Sequence, residues 1–383
     1  MKLGLFFFGT VDMPDAGTSG PPAEKRNYGQ ADYARLYSDL IAYARRADEL
    51  GYDAMWTAEH HFHNHGFEVV PNVVMFNAVL AQHTQRLRFG SLVHVLTQWH
   101  PIRFAEDFAL ADVLSGGRML CGLGRGSEQR ESAPFGVDYG WNSDAADRHN
   151  REVFEEQVAI FKAATNNERF AFHGKHFSIP PDGLTFRDEP VIALPLVPRP
   201  ANVPVRVYQA VGSPDTVRYA AEQRHVAVLW QKPGGADDNW WRYQRYVEEF
   251  HNVLLRPGQD RLLVVYAHMG DTYEQAAAEL RPGHDELQKL LWPNQIRINP
   301  ANAGRPQPTL EESMQTRPWL VGTPAQVRDQ LLAYHDQLQF EELAVFAHFP
   351  GMTRPDTLRQ IDLLHQHVMP ALSDRSAKLQ AVA

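Results

Sequence analysis

Between Asp53 and His65 the chain reads Asp-Ala-Met-Trp-Thr-Ala-Glu-His-His-Phe-His-Asn-His. A short apolar stretch runs straight into one carboxylate and a crowd of imidazoles. His60 could act as a general base or hydrogen-bond donor, oriented by a carboxylate such as Glu59. His60, His61, His63 and His65 could instead gather a metal ion. The segment could also be a polar loop whose histidines fill no chemical role. Of the two functional readings the metal is the weaker. Barrel metal sites draw ligands from several strand ends, and no matching Asp and Lys pattern stands at the others.

Three other groups carry chemistry. Gly122-Leu-Gly124-Arg125-Gly126-Ser127 follows an apolar run. Its G-x-G-x-G spacing is not the dinucleotide fingerprint, and there is no Walker-type Gly-Lys-Ser/Thr. Small residues let a planar ligand or a phosphate approach the backbone, and Arg125 could fork onto phosphate oxygens. A plain strand-to-loop turn would read the same. Gly212-Ser213-Pro214 opens a helix, where unpaired N–H groups, the helix dipole and the Ser213 hydroxyl favour an anion. An ordinary N-cap has the same signature. Arg151 could reach that region or be a solvated charge. Trp230, Trp240, Trp241 and Trp292 could wall an apolar pocket, although aromatics at helical spacing also fill cores.

Strands must carry these groups to one place. Apolar runs at 2–8, 53–58, 87–96, 118–123, 205–210, 225–230, 261–268 and 342–348 mark eight of them, and continuous runs suit strands buried on both faces. Helical spacing falls between them, at 33–47 before Gly51, 72–85, 102–114, 147–165, from Ser213-Pro214 onward, 237–253, 272–291, 324–338 and 355–371. Strand–helix alternation predicts an α/β fold, and the count of eight predicts a closed (β/α)8 TIM barrel with insertions after strands 4 and 7. The expected organisation is one domain over 1–383. The proline-rich stretch 166–203 reads as an excursion with short edge strands. The polar stretch 293–318, with five prolines, reads as an irregular lid.

The bulk numbers narrow the class. A chain of 383 residues with net charge −9 is unsuited to nucleic acid or an anionic membrane as main partner. The single cysteine, Cys121, excludes an intramolecular disulfide and reads as a small core residue. Met-Lys-Leu-Gly-Leu-Phe-Phe-Phe-Gly at the start reads as a first strand, not a secretory signal. No apolar run reaches membrane-spanning length. A cytoplasmic enzyme is expected.

Several stretches, taken together, resemble the bacterial luciferase-like flavin monooxygenases, a family of (β/α)8 barrels. They are Glu49 to Phe62, Leu87-Arg-Phe-Gly, His100-Pro-Ile-Arg-Phe-Ala-Glu-Asp107, Leu114-Ser-Gly-Gly-Arg-Met, Gly-Arg-Gly126, Gly212-Ser-Pro and Leu320 to Val327. They span nearly the whole chain, in family order. The resemblance implies reduced FMN at the barrel mouth, supplied by a separate flavin reductase. It also implies oxygenation of a small, apolar organic substrate by O2 through a flavin C4a-hydroperoxide. Arg125, Arg151, Gly212 and Ser213 match phosphate-binding positions. His60 matches a catalytic histidine, with Glu59 as its neighbour, and His100 matches another histidine near the site. Gly124 stands where luciferase has a cysteine beside the flavin. A non-proline cis peptide is implied at Leu92-Val93, under the flavin ring, and a homodimer is implied as the assembly. Some relatives use the deazaflavin F420 for hydride transfer instead. A non-catalytic partner subunit, as in the second chain of luciferase, is a further alternative, against which the joint presence of His60, Arg125 and Ser213 argues.

Overall fold

The structure, a computed structural model, describes residues 1–382 apart from Ser127, 138–142, 235–237 and Asn299. Eight parallel strands form a ring. They are β1 (Lys2–Phe7), β2 (Ala54–Thr57), β3 (Arg88–Ser91), β4 (Met119–Gly124), β5 (Val207–Ala210), β6 (Val226–Leu229), β7 (Arg261–Met269) and β8 (Glu342–Phe346). Each pairs with the next, and β8 pairs with β1 to close the barrel. β6 and β8 are buried at every position, as expected for strands covered by helices on one side and barrel contents on the other.

The outer ring comprises α1 (Gln30–Leu50), α2 (Val73–Gln82), α3 (Pro101–Leu114), α4 (Asp144–Asn166), α5 (Pro214–Glu222), α6 (Asn239–His251), α7 (Tyr273–Ile298) and α8 (Pro324–Leu338). A further helix, Arg354–Leu363, follows β8. Local chemistry sets their ends. Gly51 takes φ +80° and closes α1, a conformation that costs glycine little. Among the described residues no helix is long and apolar enough to cross a membrane.

Trp56 of β2 fills the barrel interior, edge-on to Tyr208 with ring centroids 4.9 Å apart. Its bulk fits because a neighbouring strand offers no side chain there: a Cβ at Gly90 would stand 2.3 Å from the Trp56 ring. The N-terminal rim is a charged network. Glu342 accepts from Tyr208 Oη at 2.9 Å and from Arg206 at 2.6 Å, and pairs with Lys2 at 3.0 Å. A cavity opens at the opposite mouth.

Segment 293–318 departs from the expectation of an irregular stretch. α7 runs on to Ile298 through Pro282 and Pro293. A short helix, Leu310–Thr316, is capped by Thr309, and Trp319–Gly322 adds a parallel strand along the second half of β7. A proline removes one helical hydrogen bond, but Leu287 stays buried and Leu290 and Leu291 stay packed on the core, which holds the helix together. In 166–203 the expected short edge strands are two antiparallel pairs, Phe172–His173 with Ser178–Ile179 and Thr185–Phe186 with Glu189–Pro190.

Candidate active site

A cavity of about 400 Å³ opens at the C-terminal mouth, among the ends of β1 to β7. Its floor is apolar. Leu92, Val93 and Val95 come from the segment after β3, with Ala210, Trp230 and Tyr266 from β5, β6 and β7. The Leu92–Val93 peptide is cis, at the position where the family resemblance implies one. Gly124 ends β4 against it: a Cβ there would lie 2.4 Å from Val93 Cγ2, so only glycine lets the strand approach this closely.

One side of the cavity is basic and polar. Arg125 follows β4 and is half-buried; its Nη1 donates to Asp147 Oδ1 at 2.9 Å. Arg151, one turn further along α4, stands 3.5 Å from the other Asp147 oxygen. Arg125 and Arg151, which the resemblance matches to phosphate-binding positions, thus share Asp147. Ser213 caps α5, its Oγ accepting from Thr216 N. The N–H groups of Gly212 and Ser213 are turned onto Thr216 Oγ1, at 3.2 and 3.1 Å. A Cβ at Gly212 would meet nothing within 4 Å, so space for a ligand adjoins these amides. Thr216, which the sequence reading missed, lines the cavity itself. Its position one turn after Ser213 was the available signal. Ser127 lies outside the described residues.

The other side holds His60. Its Nδ1 is 2.9 Å from Glu131 Oε1, and its Nε2 is 3.5 Å from Glu68 Oε1. Burial disfavours the imidazolium, but the charges of Glu68, Glu131 and Glu128 outweigh it and push the His60 pKa up to about 9. Burial opposes ionisation of Glu131 too, yet hydrogen bonds and charge from His60 and His63 hold it down at about 2. Burial raises Glu68. Glu68 sits at φ +58°, uncommon for a residue with a side chain.

Glu59 does not do what the sequence suggests. Its carboxylate points away from His60 and is almost wholly buried. Oε1 accepts from Trp99 Nε1 at 2.8 Å and meets His61 Nε2 at 3.0 Å; Oε2 accepts from Val95 N at 2.9 Å and faces His94 Nδ1 at 2.8 Å. Burial opposes this charge, but His94, His61 and Trp99 prevail and hold its pKa at about 2. Glu59 therefore anchors the segment after β3, whereas Glu131 and Glu68 are the carboxylates on His60. Sequence adjacency misled because successive residues leaving a strand point in opposite directions.

His100 does not reach the cavity. It is the exposed residue before α3 and packs edge-on to Phe177. The four histidines do not converge: His61 is held by Glu59, and His65 stands 3.3 Å from Arg130. Ligand atoms of His60, His63 and Glu131 do lie within 4.8 Å of one another; acid–base pairing accounts for that grouping. The tryptophan wall divides. Trp230 lines the cavity, Trp292 lines an adjoining one of about 580 Å³, and Trp240 and Trp241 pack on the Arg261 guanidinium.

Comparisons with known proteins agree with this architecture. The family model described as luciferase-like monooxygenase matches residues 1–339. A flavin-dependent trigonelline monooxygenase, oxygenase component, of Acinetobacter baylyi is 38% identical over 98 residues, covering 26% of this chain and 27% of that protein. An F420-dependent glucose-6-phosphate dehydrogenase of Amycolatopsis mediterranei is 27% identical over 186 residues, 48% of this chain and 50% of the relative. The chain spans about half the length, or less, of several curated relatives it matches. Among solved structures, the oxygenating constituent of 3,6-diketocamphane monooxygenase from Pseudomonas putida superposes with a TM-score of 0.73 at 19% identity, over 97% of this chain and 98% of that one. That likeness shows the fold. With the closed barrel and the near full-length family match, the chain belongs to the luciferase-like monooxygenases.

Proposed function

We propose that this protein is the oxygenase of a two-component flavin monooxygenase, which takes reduced FMN from a separate reductase and oxygenates a small, apolar organic compound with O2. One observation carries the reading: a single cavity is lined by an apolar floor at Leu92–Val93, by Arg125, by Thr216 in the first turn of α5, and by His60. The residues present fit the cofactor. The floor suits a planar ring system, while Arg125, Arg151 and the Gly212–Ser213 amides suit a phosphate. Bound reduced flavin would supply the electrons and activate oxygen.

The chain's own tasks follow. Phe8, Trp230 and Tyr266 keep the reacting end dry, which strengthens electrostatic interactions there. His60, ionised at neutral pH, holds a proton at Nε2; 3.5 Å from Glu68, that atom is beyond ordinary hydrogen-bond length and free to serve the cavity. Arg125 and Arg151 fix the phosphate end. Asp147 between them gives up one hydrogen bond to the incoming anion and keeps both side chains in place.

Arg125→Ala tests the phosphate assignment. FMN binding is expected to weaken about ten- to hundredfold, the range for a charge-assisted hydrogen bond, with riboflavin binding little changed. Isothermal titration with both ligands decides it, and an equal loss for the two would sink the assignment. The whole reading is tested by anaerobic titration with reduced FMN, then with F420, followed by admission of oxygen while spectra are recorded. Tight binding of reduced FMN and a slowly decaying absorbance unlike that of oxidised or reduced flavin support it. Tight F420 binding in its place makes the protein a hydride-transfer enzyme, as the F420-dependent relative is named.

A further inference from the structure

Away from the cavity, α4 carries a second group of side chains with metal-binding chemistry. His149, Glu152 and Glu156 stand at i, i+3 and i+7 and form one stripe of the helix. At about 100° per residue this stripe lies roughly opposite the face that carries Asp147 and Arg151. Against it packs the turn between the edge strands Phe172–His173 and Ser178–Ile179. Glu156 holds that turn by its backbone: the carboxylate accepts from Lys175 N at 2.6 Å, His176 N at 2.9 Å and Phe177 N at 3.1 Å. A Cβ at Gly174 would lie 2.6 Å from the same carboxyl group, so a glycine lets the turn come this close. His176 is thereby set beside Glu152, Nε2 to Oε2 at 3.3 Å. Its ring meets that of His149 edge-on, with centroids 5.0 Å apart.

We propose that His149, Glu152 and His176 bind one divalent cation of the zinc type, which fastens the excursion 166–203 to α4. The ligand types select the ion. Two imidazoles and one carboxylate suit zinc, whereas calcium and magnesium take oxygen ligands throughout. One ligand atom from each residue lies within 4.8 Å of the other two, and ligands around a tetrahedral zinc stand about 3.3 Å apart. Side-chain rotation closes that gap. It is open to His149, which is exposed, and to Glu152, whose side chain is 45% exposed. Water completes the coordination shell, and the ion needs no path through the protein. The site is independent of the flavin reading and takes no part in the cavity's chemistry.

Two features separate this group from an ordinary surface ion pair. The first is the support behind His176. Glu156 is not a ligand, yet its three backbone contacts fix the turn that presents the imidazole, as outer-shell carboxylates do in metal sites. The second is the competitor. Lys175 Nζ stands 2.7 Å from the Glu152 oxygen that His176 approaches, so a cation already occupies the place the ion would take. Hydrogen bonds from Lys175 and His176 keep the Glu152 carboxyl below its ordinary pKa, so the ligand is ionised. An exposed lysine pair of this kind resists displacement by no more than about fivefold, which two imidazole ligands overcome. The buried group of His60, His63 and Glu131 brings its ligand atoms equally close, and the test has to tell the two apart.

Isothermal titration of the full chain with zinc chloride, after treatment with EDTA and dialysis, tests the site. One equivalent is expected to bind, with no binding of magnesium under the same conditions. His149→Gln and His176→Gln are each expected to weaken zinc binding at least about tenfold, and Glu156→Gln about tenfold through release of the turn. Lys175→Ala is expected to tighten it, by up to about fivefold, a gain that unspecific binding to surface histidines would not show. Hydrogen exchange gives a second readout: the backbone of 172–179 is expected to exchange more slowly with zinc in the wild type and not in His176→Gln. The proposal is overturned if the wild type takes up no zinc below millimolar concentration, or if the bound equivalent survives in both His149→Gln and His176→Gln. It is equally overturned if the equivalent disappears with His63→Gln and persists in His176→Gln, which would put the ion at the inner histidines.

Discussion

Replacing His60 with alanine is expected to lower turnover by about 10²- to 10⁴-fold, the usual weight of a positioned acid or base, while reduced-FMN affinity changes little. His60 and Arg125 line the same cavity on separate partners, Glu131 for the one and Asp147 for the other, so on the proposed reading the loss of the imidazole removes the proton and spares the arginine. The pH dependence has a definite sign. With its pKa raised to about 9, His60 is a proton donor throughout the neutral range, and the step it serves fades as pH rises through about 9. The ion pairing of His60 also stabilises the fold. That contribution is fully present below the ordinary histidine pKa of 6.5 and is lost through the same rise to about 9. Stopped-flow turnover of the variant and wild type from pH 6 to 10 checks both points. Parallel losses of binding and turnover would contradict the assignment.

Glu59→Ala is expected to destabilise the protein by about 3–5 kcal/mol, the cost of removing one partner from a buried charged cluster. The reason is the number of groups it serves. Trp99 Nε1, Val95 N, His61 and His94 all converge on this one carboxylate, and without it buried donors are left unmatched. Urea denaturation measures the loss; a change below about 1 kcal/mol would show that water replaces the carboxylate. The acid limb of stability carries the same signature. A carboxyl group held at about 2, against 4.5 as its ordinary value, contributes stability that is present above pH 4.5 and lost as pH falls towards 2. Wild type is expected to lose stability over that window more steeply than Glu59→Ala.

Read alone, the sequence determined the barrel, because each strand is a local apolar run and each helix carries its own start and stop signals. Gly51 at the end of α1 and Ser213-Pro214 at the start of α5 are examples, and both work within a few residues of themselves. Strand ends then told where side chains must gather, which placed His60 and Arg125 at one mouth; the Leu92–Val93 bond came from the family resemblance. The tertiary structure decided which groups pair. Glu131 reaches His60 across 71 positions, and Trp99 reaches Glu59 across 40; no local pattern encodes such meetings. For the same reason Glu59 became an anchor, His100 turned to solvent, and two of four tryptophans went to Arg261. A side chain's chemical type is written in the sequence. The charge it faces, and hence its pKa and its task, exists only after distant segments have packed together.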